Sequence, residues 1–175
     1  MTQSHNCEDI KAFVMDIDGV LTDGRIGYGC GSDEEIKFFD VKDGTGIKML
    51  QRSGIVTAII SGRQSAANKR RANELGIGHY IEKCVNKADG MRRLCQELGI
   101  ETKQCLYVGD DFIDLAAMRL AGIGAAVADA SQEVLDAADW RLNHRGGRGA
   151  VREAAELLLK AQGKWSKAIE KYYKD

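Results

Sequence analysis

Short apolar runs rich in β-favouring residues recur along this chain, and most are followed by a stretch with helical spacing. Residues 12–16 (AFVMD), 55–60 (IVTAII), 105–109 (CLYVG) and 123–127 (IGAAV) are too uniformly apolar for strands with one wet face, so they read as buried parallel strands. The intervening pattern predicts helices at about 44–53, 64–75, 87–98, 111–121 and 131–137. Alternation of this kind specifies an α/β fold, a doubly wound, Rossmann-like parallel sheet with helices on both faces. Sheets of that type bind ligands beyond the carboxyl ends of their strands. Three of these ends run straight into polar clusters: Asp16-Ile17-Asp18-Gly19, Ser61-Gly62-Arg63 and Gly109-Asp110-Asp111.

One segment breaks the alternation. Residues 25–39 hold two short alternating runs around a Gly/Ser/Asp turn, which predicts a β-hairpin after the first strand. Its glycine-rich tip, 28–33, carries Cys30. After a last strand near 139–142, the loop NHRGGRG leads into a helix over AVREAAELLLKAQG and then a tail, 163–175, with Trp165, Tyr172 and Tyr173. At 175 residues and 44% hydrophobic, the chain suits one compact domain over 1–175.

Charge and cysteine usage narrow the function classes. A formal net charge of -1 gives no overall footprint for nucleic acid or an anionic membrane. No apolar run approaches the roughly 20 residues of a spanning helix, and the N-terminus lacks a basic region followed by an apolar stretch, so a cytoplasmic protein is expected. Five cysteines, without CxxC pairs or zinc-like clustering with the three histidines, read as free thiols.

The polar clusters suggest a chemistry. Asp16 and Asp18 project from one strand end toward one place, and two carboxylates there repel unless a cation or proton intervenes. Mg²⁺ suits them, because it takes hard oxygen ligands and leaves positions for phosphate oxygens. Ser61 and nearby amides can donate to a phosphoryl oxygen, Lys87 can neutralise transferring charge, and Asp110, Asp111 and Asp114 can complete a metal site and orient the lysine. Each has an ordinary alternative: turn-forming aspartates, a helix cap, a solvated lysine. Their joint occurrence in this order favours phosphoryl transfer.

DIDGVLTDG (16–24), IISGR (59–63), CVNKADG (84–90) and GDDFIDL (109–115) resemble the four motifs of the haloacid dehalogenase superfamily. The resemblance implies that Asp16 is a nucleophile forming an aspartyl phosphate and Asp18 the general acid, then base. It implies that Asp16, the Asp18 backbone carbonyl and Asp110 ligate Mg²⁺, while Ser61 and Lys87 hold the phosphoryl group and Asp111 and Asp114 support the site. Neither gap between motifs has room for a cap domain, so the chain looks like the capless subfamily, whose hairpins help close neighbouring sites in a homotetramer. Finer matches, EEIKFFDVKDGTGIKMLQRSGI, SGRQS and GGRGAVREAAELLLKAQGKW, resemble the phosphatases of octulosonate 8-phosphate, enzymes of lipopolysaccharide precursor synthesis. This implies a small sugar acid phosphate as substrate, with Thr22, Arg63 and Arg71 binding it; Arg71 belongs to a basic run, 69–71, that would otherwise be a solvated helix face. Residues 127–134, VADASQEV, depart from the family by lacking prolines. Two other readings stay open: a phosphatase for a nine-carbon acid phosphate of sialic acid type, and a non-catalytic tetramerisation module.

Overall fold

A computed structural model describes residues 7–29, 31 and 35–174. Six strands form one parallel sheet: β1 (Ala12–Met15), β4 (Val56–Ile60), β5 (His79–Ile81), β6 (Cys105–Gly109), β7 (Ile123–Ala126) and β8 (Trp140–Arg141), in the order β5-β4-β1-β6-β7-β8. The chain winds outward from β1 through β4 to β5, then returns to place β6 on the other flank of β1. That reversal is the switch point at which doubly wound sheets bind ligands. Register puts Met15 opposite Ile59 and Val108, so Asp16, Ser61 and Asp110 all emerge at neighbouring strand ends.

Alternate residues of β1 face opposite layers, as a strand's period of two requires. Phe13 and Met15 enter one core with residues of α1 (Val41–Arg52), α2 (Ala66–Glu74) and α6 (Ala150–Ala161). Ala12 and Val14 enter the other, with α3 (Lys87–Leu98), α4 (Leu115–Leu120) and α5 (Gln132–Ala137). Both cores are built from side chains withdrawn almost wholly from water, each large one contributing roughly 1.5–3 kcal/mol. No helix among the described residues is long and apolar enough to cross a membrane.

Differences from the sequence expectation are local. Helix α1 starts at Val41 rather than near 44, because the Asp40 carboxylate caps it by accepting from the Lys42 amide at 2.8 Å. Gly44 and Gly46 obscured that start, since glycine disfavours helix. Gly46 is there for packing: a Cβ on it would lie 3.0 Å from Arg152 Cα and 3.3 Å from Ala155 Cβ. The expected helix at 111–121 is a 3₁₀ turn, Phe112–Asp114, followed by the short α4. The tail contains a helix that was not anticipated, α7 (Trp165–Glu170), whose Trp165, Ala168 and Ile169 pack on the first core. Their i, i+3, i+4 spacing was the available signal.

Between β1 and α1 the described residues hold only β2 (Gly27–Tyr28) and β3 (Glu35–Ile36), an antiparallel pair. The hairpin is thus present but much shorter than the alternating runs suggested; residues 30 and 32–34 of its tip, with Cys30, lie outside the described residues. Cys84, Cys95 and Cys105 are buried free thiols and Cys7 is half-buried.

Asp43, which the sequence did not single out, joins α1 to α6. Fully buried, it accepts from the amides of Gly149 at 3.3 Å and Arg152 at 2.8 Å, at an α6 N-terminus with no side-chain cap of its own. Asp43→Ala should cost about 2 kcal/mol, a lost cap plus orphaned donors, measurable as a lower urea midpoint at unchanged m-value. A midpoint equal to wild type would show that α6 starts without it.

Candidate active site

The site is assembled from the bottom of the switch-point cleft upward. Asp16 lies just past β1, its amide bonded to the Val108 carbonyl at 3.0 Å and its Oδ1 accepting from the Ile17 amide at 2.7 Å. Its Oδ2 faces Lys87 Nζ at 2.7 Å. Lys87 opens α3 behind the N-cap Asn86, and its ammonium is completely buried. Such a charge is tolerable only when paired. Here the second partner is Asp114 Oδ1, also at 2.7 Å. Burial alone would depress the lysine's pKa, but Asp16 and Asp114 outweigh it, so the net shift is upward and Lys87 stays charged.

Asp114 is committed entirely to support. Oδ1 accepts from Lys87 and from the Tyr107 hydroxyl at 2.8 Å, while Oδ2 accepts from the amides of Asp110 at 3.1 Å and Asp111 at 3.3 Å. Tyr107 is a residue the sequence reading missed. Its signal was a lone hydroxyl within a buried apolar strand, which needs a partner. Asp111 is exposed and caps the 3₁₀ turn by accepting from the Phe112 amide at 2.8 Å.

Ligand atoms of Asp16, Asp110 and Asp114 lie within 4.8 Å of one another. Burial, reinforced by Asp114 and Asp16, pushes Asp110 up to about 8, and burial pushes Asp16 up to about 6 against the pull of Lys87. Asp110 Oδ1 is buried with no hydrogen-bond partner. With Asp114 already saturated, the unpartnered Asp110 Oδ1 and the Asp16 carboxylate beside it, each of whose oxygens has a single partner, fit a small hard cation. Gly19 permits the crowding: at φ +93° it takes a left-handed turn, and a Cβ there would come within 2.1 Å of Asp110 Oδ2.

Asp18 sits on the facing side of the cleft. Its carboxylate accepts from Lys37 Nζ at 2.5 Å and from Asn68 Nδ2 at 3.2 and 3.4 Å. Neither donor was foreseen. Lys37 had a period-two signal, alternating with Ile36 and Phe38, whereas Asn68 had none. Ser61 is buried, its Oγ engaged with the Arg63 backbone at 3.2 Å in the turn after β4. Thr22 is also buried, and its hydroxyl accepts from the amides of Gly19 and Gly24 at 3.2 Å each. In this geometry Thr22 braces the loop that presents Asp16 and Asp18.

An open cleft of about 580 Å³ adjoins these groups, lined by Tyr28, Glu35, Gln64, Ser65, Lys69 and Glu82 among others. Arg63 reaches its rim, bonded to Glu35 at 2.8 Å. Arg71 does not line it: the guanidinium lies 5.7 Å from the Phe39 ring centroid and 3.4 Å from Glu74. Lys69, two residues earlier, lies in the cleft instead. The proline-free loop after β7 is held by hydrogen bonds, Ser131 N to the Asp110 carbonyl at 2.9 Å and Gly146 N to Asp129 at 2.9 Å.

Residues 80–152 match the haloacid dehalogenase-like hydrolase family. The chain is 43% identical over 159 residues to the 3-deoxy-D-manno-octulosonate 8-phosphate phosphatase KdsC of Haemophilus influenzae, covering 91% of this chain and 88% of that one. The chain belongs to the haloacid dehalogenase-like hydrolases. Among solved members of this family, the 3-deoxy-D-manno-octulosonate 8-phosphate phosphatase of Moraxella catarrhalis, in complex with magnesium ion, phosphate ion and KDO, superposes with a TM-score of 0.92 at 44% identity over 95% of both chains. The cobalt-bound form of the Haemophilus influenzae phosphatase gives 0.88 at 42% identity, over 92% of this chain and 94% of the other. The arrangement therefore holds a buried carboxylate, Asp16, with a charged lysine against it, and a second carboxylate, Asp18, two residues further on.

Proposed function

We propose that this chain is the phosphatase that hydrolyses 3-deoxy-D-manno-octulosonate 8-phosphate to the free sugar acid and phosphate, with Mg²⁺, in lipopolysaccharide precursor synthesis. The observation that carries the reading is the buried Asp16–Lys87–Asp114 cluster, with the lysine Nζ 2.7 Å from an oxygen of each carboxylate, in a chain 43% identical to phosphatases of that name. Asp16 Oδ attacks phosphorus, and the bond from phosphorus to the sugar oxygen breaks as Asp18 gives that oxygen a proton. Asp18 then takes a proton from water as the water oxygen attacks the aspartyl phosphate, which returns Asp16 and frees phosphate. Lys87 and Ser61 hold the phosphoryl oxygens throughout. Asp16, Asp110 and the Asp18 carbonyl would hold Mg²⁺, whose charge would offset repulsion between the nucleophile and the phosphate dianion. Arg63 and Lys69 border the cleft and offer cationic donors to the sugar's carboxylate and hydroxyls, with Arg fork geometry suited to the former.

Phosphate release from octulosonate 8-phosphate should exceed that from nonulosonate 9-phosphates by at least about tenfold in kcat/KM, since a site shaped for one acid pays roughly 1–3 kcal/mol for an extra carbon. Preference for the nine-carbon ester would transfer the chain to the sialic acid type; Mg²⁺-independent silence toward every ester, aryl phosphates included, would leave a scaffold.

We further infer a cytoplasmic homotetramer of single-domain subunits. Tyr28, Phe38 and Val41 are 78%, 70% and 75% exposed around the hairpin, a concentration of apolar surface that a monomer rarely presents. An isolated two-stranded hairpin is marginal in water, and packing hairpins together would bury these side chains and its edges. Light scattering at micromolar concentration should give four times the chain mass of 19.2 kDa. A mass near one chain would contradict it.

A further inference from the structure

We propose that Lys37 and Asn68 are positioning residues that hold the Asp18 carboxylate for proton transfer to the leaving oxygen, so that the return strand of the hairpin is part of the subunit's own catalytic site. The inference rests on the phosphatase reading above and extends it to residues outside the four motifs. Lys37 has a side chain with no solvent exposure, and its ammonium lies 2.5 Å from Asp18 Oδ1 and 3.5 Å from Glu35 Oε2. Burying an ammonium costs several kcal/mol unless charged partners offset it, so this geometry is not that of a surface lysine that happens to point inward.

The strand alternation enforces the direction. Glu35 turns its carboxylate to Arg63 and Lys37 its ammonium to Asp18, whereas Ile36 and Phe38, between and after them, are 47% and 70% exposed. Glu35 in turn ties to Arg63 at 2.8 Å, so the strand is fastened both to the loop after β4 and to the loop after β1. From across the cleft comes Asn68, fully buried in the first turn of α2 and fixed there as Ser65 Oγ accepts its amide at 3.4 Å. Its Nδ2 donates to both Asp18 oxygens, while its Oδ1 is buried without any hydrogen-bond partner. A purely structural asparagine would satisfy both ends of its amide. This one leaves an acceptor unpaired and spends its donor on Asp18.

Two donors from opposite walls fix the rotamer of a carboxylate that is otherwise free on a loop. Proton transfer demands a heavy-atom approach of about 2.6–3.2 Å, and a misplacement of about 1 Å is costly. An ion pair that merely anchored the hairpin would have the same geometry, so the test must read the proton-transfer step. The ratio kcat/KM reports events through phosphorylation of Asp16, in which an alkoxide leaving group needs the proton and a nitrophenolate does not.

Lys37→Met and Asn68→Leu should each lower kcat/KM for alkyl phosphates, the sugar acid ester and a simple one such as glycerol phosphate, by about 10- to 10³-fold, within the range of general acid catalysis. The loss with nitrophenyl phosphate should be at least about tenfold smaller, and in an Asp18→Asn background either substitution should add little further loss on alkyl esters, because it acts through a group already disabled. Equal losses on alkyl and aryl esters, losses that add in full to Asp18→Asn, or no loss would overturn the proposal. Asn68→Leu carries the test alone should Lys37→Met fail to fold. A wild type that cleaves glycerol phosphate but not the sugar ester would defeat only the substrate assignment; one that cleaves no ester would defeat the phosphatase reading and this inference together.

Discussion

Asp16→Asn should reduce phosphate release by about 10⁴-fold or more while the protein stays folded, the scale of loss seen when a nucleophile is removed from a covalent mechanism. The substitution is nearly isosteric, and the contacts that build the loop do not depend on the charge: the Asp16 amide still meets the Val108 carbonyl, and an amide oxygen can still accept from Ile17. What changes is that a carboxamide cannot form a stable acyl phosphate under attack at phosphorus. Lys87 also keeps its second anchor, Asp114, so it is not left as an unpaired buried charge. Asp18→Asn should be severe but smaller, about 10²- to 10⁴-fold on the sugar ester, because the nucleophile survives. Wild-type release by purified Asp16→Asn would overturn the mechanism, and a lowered melting temperature would reveal a structural contribution of the charge.

Chelation should abolish turnover, with Mg²⁺ or Mn²⁺ restoring it and Ca²⁺ inhibiting, since a larger ion with looser, higher coordination misplaces an in-line attack. The electrostatics add a stability signature. Asp110 at about 8 and Asp16 at about 6 hold protons in the metal-free folded protein that the unfolded chain has already lost near its ordinary carboxylate range. Where the folded state binds more protons, stability falls as pH rises, here from about pH 4 to 8. A cation needs those groups ionised, so its stabilisation should grow over the same window. The rise in Tm on adding Mg²⁺ should therefore be larger at pH 8 than at pH 5.5. An equal rise at both values would remove the proton linkage, and undiminished activity after exhaustive chelation would remove the cation from the account.

The fold was legible because its strands are short, apolar and bounded, and because four motif segments fall at their carboxyl ends or at the start of the following helix. β6 and α3 occupy the residues expected of them. Boundaries set by tertiary contact were not legible: α1 begins early because Asp40 caps it and its glycines pack closely, Gly46 on α6 and Gly44 against Arg71 and Leu75, and α7 forms because its three apolar residues find the core. In the site, charge and spacing marked Asp16, Asp18, Lys87, Asp110 and Asp114, and the structure gathers Asp16, Lys87, Asp110 and Asp114 into one cluster with Asp18 two residues beyond Asp16. Lys37, Asn68 and Tyr107 escaped because each serves through a partner remote in sequence, 19, 50 and 7 residues away, and only the fold supplies that partner. Arg71 shows the converse. The family resemblance implied that it meets the substrate, whereas in the structure the helix phase of α2 turns it toward Phe39 and Glu74 and Lys69 lines the cleft.

The most direct test of the central claim is to mix the Mg²⁺-loaded protein with 3-deoxy-D-manno-octulosonate 8-phosphate, quench within one turnover, reduce with borohydride and sequence the peptide spanning the first strand by mass spectrometry. An aspartyl phosphate is reduced to homoserine, so the account predicts homoserine at position 16, absent without substrate and absent when the metal is removed. Turnover of the sugar phosphate with Asp16 unmodified at every quench time would contradict it.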